Sequence, residues 1–242
     1  MPYPIQGNNG SYSIFPKKKQ QQFPGIKLSN YVKRTTTSTS SRSTRAAKLA
    51  VSQIGVKEAT GNNDGAQVEK YQYNSKGLKG APWCSSFFNW CYNPKHIKGK
   101  NVLGMNDADV PSSQAVLRKA KEEGCFVQAS SISTYVPHVG DGIVWRSDKD
   151  HAKGHIGIVV EVRKDGSFVT VQGNNHNAVE RVEYKSVQDA YLIGRTSSGG
   201  YAQTLQGFID MEKYNNKHNL ASTFEAPCEN YDNPNAEYNL MA

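Results

Sequence analysis

Residues 155–172 read HIGIVVEVRKDGSFVTVQ. The first half, His155 to Arg163, is rich in β-branched residues, as strands are. Lys164-Asp165-Gly166 is a turn of the Asp-Gly type that joins hairpin strands. From Ser167 to Gln172 apolar and polar residues alternate, as they do in a half-buried strand. Working outward, Gly142 to Arg146, Val179 to Tyr184 and Ala190 to Arg195 give further short strands. The N-terminal side has a different period. Ala46, Ala47, Leu49, Ala50, Val51 and Ile54 form a helical face that starts near Ser43 or Thr44 and stops at Gly55. Ala66, Val68, Tyr71 and Tyr73 mark a second helix. Trp83 to Tyr92 forms another, on which Cys84, Phe87, Trp90 and Cys91 share a face, and Pro94 ends it. Pro111 to Glu123 is a further helix, followed by Gly124. Helices first and then about five antiparallel strands predict an α+β domain over residues 44–197.

The chain has 242 residues, of which 37% are hydrophobic, polar enough that part of it is expected to be arm and not core. Charge is unevenly placed: residues 1–45 carry +8 with no acidic residue, 46–200 carry +4, and 201–242 carry −4. Residues 1–43 read as a basic, Ser/Thr-rich arm with the run Lys17-Lys18-Lys19. Residues 198–242 read as an acidic tail with at most a short helix over Gly207 to Tyr214. Such asymmetry points to interaction arms. No apolar run approaches the roughly 20 residues that cross a bilayer. The first residues lack a basic and then apolar leader pattern, so no export signal is expected. No helix-turn-helix, RNP or finger motif supports sequence-specific nucleic-acid binding. The four cysteines, Cys84, Cys91, Cys125 and Cys228, include no Cys-x-x-Cys pair, so a zinc site is not expected.

Cys84 opens a predicted helix directly after Ala81-Pro82-Trp83. The unpaired N–H groups and positive dipole end there favour a thiolate, which is the nucleophilic form of cysteine. The same N–H groups suit an oxyanion. A cysteine nucleophile needs a base, for which histidine is the usual choice. Of the six histidines, His155 opens the strongest strand, whereas His96, His138, His151, His176 and His218 lie in turns, polar loops or tail. A third polar group should hold the imidazole tautomer. The hairpin turned at Asp165-Gly166 brings residues near 172–174 back toward 155–159, and Gln172 and Asn174 alternate onto one face. Either suits the role.

These segments resemble the CHAP domain, the cysteine- and histidine-dependent amidohydrolase/peptidase of the papain-like class. The resemblance runs through Gly55-Val56-Lys57-Glu58, Gly61-Asn62-Asn63, Gly80-Ala81-Pro82-Trp83-Cys84, Gly140-Asp141-Gly142, Gly154-His155-Ile156-Gly157-Ile158-Val159 and Gln172-Gly173-Asn174. It implies a papain-like fold, with N-terminal helices packed on an antiparallel sheet. The implied activity is hydrolysis of amide bonds in bacterial peptidoglycan, by an N-acetylmuramoyl-L-alanine amidase or an endopeptidase. Carried over, Cys84 is the nucleophile, His155 the base and then acid, and Asn174 the orienting residue. The family often has Glu where this chain has Gln172, and the change removes a negative charge beside the imidazole. Trp83 and Asn62 are expected at the substrate cleft. The stretch Tyr71 to Lys79 holds no Asp or Glu, so neither calcium nor any other cofactor is expected. Without an export signal, the expected setting is a phage endolysin in the host cytoplasm before lysis, a virion-associated lysin, or an injected toxin. Arms 1–43 and 198–242 would then contact other virion proteins. The alternative is a weakly active CHAP fold serving as a structural component of a phage particle.

Overall fold

The computed structural model describes residues 41–73, 79–95, 97, 99–128, 135–193 and 202–220. The arm expected over residues 1–43 lies almost wholly outside them, as does the tail beyond residue 220. The described residues belong to one compact unit. It opens with helix α1 (Arg42–Ser52), capped by Ser41, whose hydroxyl accepts the Thr44 N–H. Helices α2 (Ala66–Tyr73), α3 (Cys84–Tyr92) and α4 (Ser113–Glu122) follow, the last capped by Ser112. Then come β1 (Phe126–Gln128), β2 (Gly142–Ser147), β3 (Gly154–Val162), β4 (Phe168–Asn175) and β5 (Ala178–Tyr184). Helix α5 (Val187–Ile193), strand β6 (Gln203–Ile209) and helix α6 (Met211–Lys217) complete the order.

The six strands form one antiparallel sheet in the order β1-β6-β2-β3-β4-β5. Alternation along β2 sends Val144 to one core and Ile143 and Trp145 to the other. The first core centres on α3, all nine of whose residues are buried. Phe87, Trp90 and Cys91 pack there with Ile156, Ile158 and Val171 of the sheet and with Tyr71 and Trp83. The second core gathers Trp145, Val159, Phe168, Tyr184, Leu205 and Phe208. The α+β order expected from the sequence is thus the one observed, and the hairpin at Asp165-Gly166 is β3–β4.

Three local expectations are corrected. Ala190 to Arg195 is not a strand: helix α5 covers that region up to Ile193. Its start is held by Ser186, whose hydroxyl accepts the Asp189 N–H, while Asp189 accepts the Lys185 N–H. That is a capping-box pattern, Ser-x-x-Asp, and it outweighs the apolar run. Gly207 to Tyr214 is not one helix: Gln203–Ile209 is a strand, and Asp210 caps α6 by accepting the Lys213 N–H. The folded body therefore does not stop at residue 197. β6 sits between β1 and β2, and α6 is tied to α1 through Asn215, which accepts from Arg42 Nη1 at 3.2 Å and donates to Ser43 Oγ at 3.0 Å.

Candidate active site

Helix α3 starts at Cys84 because Pro82 precedes it and the chain turns at Trp83 (φ −121°, ψ 13°). Trp83 makes no side-chain cap bond to the helix. Helix and sheet meet closely where Phe87 faces Gly173. A Cβ built on Gly173 would lie 2.6 Å from Cβ of Phe87, so only glycine lets α3 approach β4 this closely.

Cys84 and His155 line one open cleft of about 660 Å³. Its other walls are mostly neutral and polar: Asn63, Ser112, Ser113, Asn174, Asn177 and Gln203. Among the described residues that line it, Lys153 alone carries a full charge. Its ammonium lies 3.2 Å from the Asp150 carboxylate at the exposed rim.

His155 is buried, and its Nε2 lies 3.1 Å from Oε1 of Gln172, which is also buried. Asn174 does not share that face. It takes a left-handed conformation (φ 53°), the β4–β5 register shifts between Gln172 and Asn175, and the Asn174 amide donates to Oδ1 of Asn63 at 3.0 Å. The alternation that would have stacked Asn174 on Gln172 is broken at the strand's end. The structure thus pairs Gln172 with the imidazole and places Asn174 in the cleft wall.

Two expected cleft residues move elsewhere. Trp83 is fully buried, stacked on Tyr71 with centroids 5.6 Å apart, and does not line the cleft. Its Nε1 donates to Oε1 of Glu58 at 2.8 Å. Asn62 is exposed and donates to Thr60 Oγ1. Its neighbour Asn63 is the residue on the cleft wall, with its N–H held by Oε2 of Glu58 at 2.8 Å. One carboxylate therefore fixes both the residue before Cys84 and the loop facing it. Glu58 lies in a quoted motif, yet nothing in the sequence shows that its two oxygens reach 25 and 5 residues along the chain.

Part of the stretch Tyr71 to Lys79, where no calcium site was expected, lies outside the described residues. Among them, His138, Asp141 and Asp210 bring one possible ligand atom each within 4.8 Å of one another. The two carboxylates are already engaged in the fold, while the buried His138 Nδ1 makes no hydrogen bond and lies 3.6 Å from Asp141 Oδ2. Asp141 accepts from the Tyr135 hydroxyl and from the N–H groups of His138 and Met211. Asp210 caps α6. The Asp141 carboxylate beside His138 raises the imidazole's pKa above its ordinary value. This cluster ties β2 to α6.

Burial pushes the Cys91 thiol well above its ordinary pKa and the Cys125 thiol up to about 12, so neither is a nucleophile at neutral pH. Among the described residues no helix is long and apolar enough to cross a membrane.

The chain is similar to the solved structures of NlpC1 and NlpC2 from Trichomonas vaginalis, at 17% and 15% identity with TM-scores of 0.34 and 0.36. Each match covers 72% of this chain but only 46% and 47% of those chains, so this chain spans about half their length. No curated protein matches it. Over residues 73–174, the stretch that holds Cys84, His155, Gln172 and Asn174, the chain matches the family model of the CHAP domain.

Proposed function

We propose that this protein hydrolyses amide bonds of bacterial peptidoglycan, as an N-acetylmuramoyl-L-alanine amidase or an endopeptidase. The observation that carries the reading is Cys84, at the start of α3, sharing a cleft with His155. In the proposed reaction the His155 imidazole takes the thiol proton. Cys84 Sγ attacks the amide carbonyl carbon, and the oxyanion is met by N–H groups at the start of α3. The C–N bond breaks, and the amine leaves with the proton from the imidazolium. Water, deprotonated by His155, then hydrolyses the thioester and restores the thiol. The cleft suits such a substrate. Its neutral amides and hydroxyls match sugars and peptide bonds, and Lys153 at the rim matches a stem-peptide carboxylate.

The setting we propose is a phage lysin, free or carried in the particle. Its support is the +8 charge of residues 1–45, which suits anionic wall polymers. Neutralising Lys17, Lys18 and Lys19 to Gln should weaken co-sedimentation with walls at low salt; unchanged sedimentation would remove that support. The alternative, a weakly active CHAP fold in a particle, draws on the neutral Gln172 beside His155.

The test is digestion of purified peptidoglycan by the wild type and Cys84→Ala, with products read by mass spectrometry. Fragments from the wild type alone are expected. A freed lactyl group means amidase, and a freed peptide amine means endopeptidase. No release by either protein across several wall chemotypes would overturn the hydrolase reading in favour of the structural one.

A further inference from the structure

Thr170 of β4 lies directly opposite Val182 of β5. Its hydroxyl donates to the Val182 main-chain carbonyl at 3.4 Å. A carbonyl oxygen can only accept, so the direction of that bond is set. With its proton committed, Thr170 Oγ1 serves as an acceptor, and it takes an N–H of the Gln172 amide at 2.9 Å. The same amide nitrogen reaches the Tyr184 hydroxyl at 3.1 Å. Both amide protons are then on the side away from His155. The amide turns its carbonyl to the imidazole, and Oε1 meets Nε2 at 3.1 Å. Burial makes the arrangement strict: Thr170 and Gln172 are 0% exposed, His155 2% and Tyr184 5%, so bulk water cannot substitute for a lost partner. Gly157 makes the room, since a Cβ there would lie 2.8 Å from Cγ of Gln172.

We propose that Thr170, seconded by Tyr184, is a positioning residue for His155. The chain of bonds from the Val182 carbonyl through Thr170 and Gln172 holds the imidazole as the Nε2–H tautomer. Nδ1 then carries the lone pair that takes the Cys84 proton. A reversed Gln172 amide would present N–H to Nε2 and favour the opposite tautomer, with the basic lone pair on the wrong nitrogen. A carboxylate has no wrong way round. A chain that uses Gln in place of Glu therefore needs a device that fixes the amide, and Thr170 is that device. The inference rests on Cys84 and His155 being the catalytic pair, but its test does not require wall hydrolysis.

The experiment is ¹⁵N NMR of the His155 imidazole in the full chain, paired with the pH dependence of Cys84 alkylation by iodoacetamide. The wild type should show the Nε2–H tautomer. Thr170→Val, which keeps the shape and removes the hydroxyl, should show a mixture of tautomers. It should also alkylate about five-fold more slowly at pH 7, the worth of one neutral hydrogen bond. Thr170→Ser should behave as the wild type. In a Gln172→Glu background, Thr170→Val should leave the tautomer unchanged. An Nδ1–H tautomer in the wild type would overturn the inference. So would a Thr170→Val protein identical to the wild type, or Thr170→Ser failing as badly as Val, which would make the effect one of packing. A Thr170→Val tautomer shift that persists in the Gln172→Glu background would overturn it too. Absent wall digestion with these signatures intact would sink the proposed substrate and leave the inference standing.

Discussion

Nε2 of His155 and Oε1 of Gln172 lie 3.1 Å apart, and the partner of the imidazole is neutral. Gln172→Glu puts a carboxylate in the same place. An adjacent negative charge favours the imidazolium, so the His155 pKa rises, by about one unit. The limb of the pH–rate profile that reports His155 should move to higher pH by that amount. A profile that does not move would show that residue 172 does not sense the imidazole charge.

Three cysteines among the described residues are buried, but they differ in chemistry. Burial raises the Cys91 and Cys125 thiols, whereas Cys84 stands at a helix start on the cleft. In a Cys228→Ser background, iodoacetamide at pH 7 should label Cys84 at least about ten-fold faster than the other two. Peptide mapping reads the order. Equal, slow labelling of all three would count against an activated nucleophile.

Gly173→Ala places a methyl group where Cβ of Phe87 already stands. The Phe87 Cβ is no flexible side-chain end, so α3 must shift from β4. We expect a loss of about 1–3 kcal/mol in urea unfolding, and a larger proportional loss of wall digestion, because Cys84 moves with the helix. A variant with native stability and activity would show that the contact can relax.

Glu58→Gln keeps the shape but removes the charge that holds Trp83 Nε1 and the Asn63 N–H. Bonds to a charged acceptor are the stronger kind. The expected cost is about 1–2 kcal/mol, with activity falling further than stability, since both partners border Cys84 or its cleft. Parallel urea titrations and digestion assays check the split.

Glu123 joins α4 to α6. Its carboxylate meets Lys217 and His218 at 2.9 Å and Lys119 at 3.0 Å, and hydrogen bonds from these three side chains hold its pKa down to about 2. A lowered folded pKa gives stability that is present above the unfolded value near 4.3 and lost as pH falls toward 2. The partners are partly exposed, so the contribution is about 1 kcal/mol and not the full shift. Glu123→Gln should be less stable than the wild type by that amount at pH 7 and equal to it near pH 2. Urea midpoints at the two pH values test this.

The sequence by itself determined the elements with strong local signals. The hairpin at Asp165-Gly166, the helix that opens at Cys84 and the α1 face were legible because turn chemistry and hydrophobic period are local properties. It also singled out Cys84 and His155, through helix-start chemistry and strand position. Tertiary structure alone decided which amide lies against His155. Both Gln172 and Asn174 were on offer; Gln172 lies against the imidazole, whereas the chain turns left-handed at Asn174 and its amide goes to Asn63. It also decided that residues 203–217 belong to the body. Strand β6 is recognisable only by its pairing with β1 and β2, across gaps of about 60 to 80 residues that no local pattern spans. The cleft wall is likewise non-local, since Asn63 and Asn174 meet there from positions 111 residues apart.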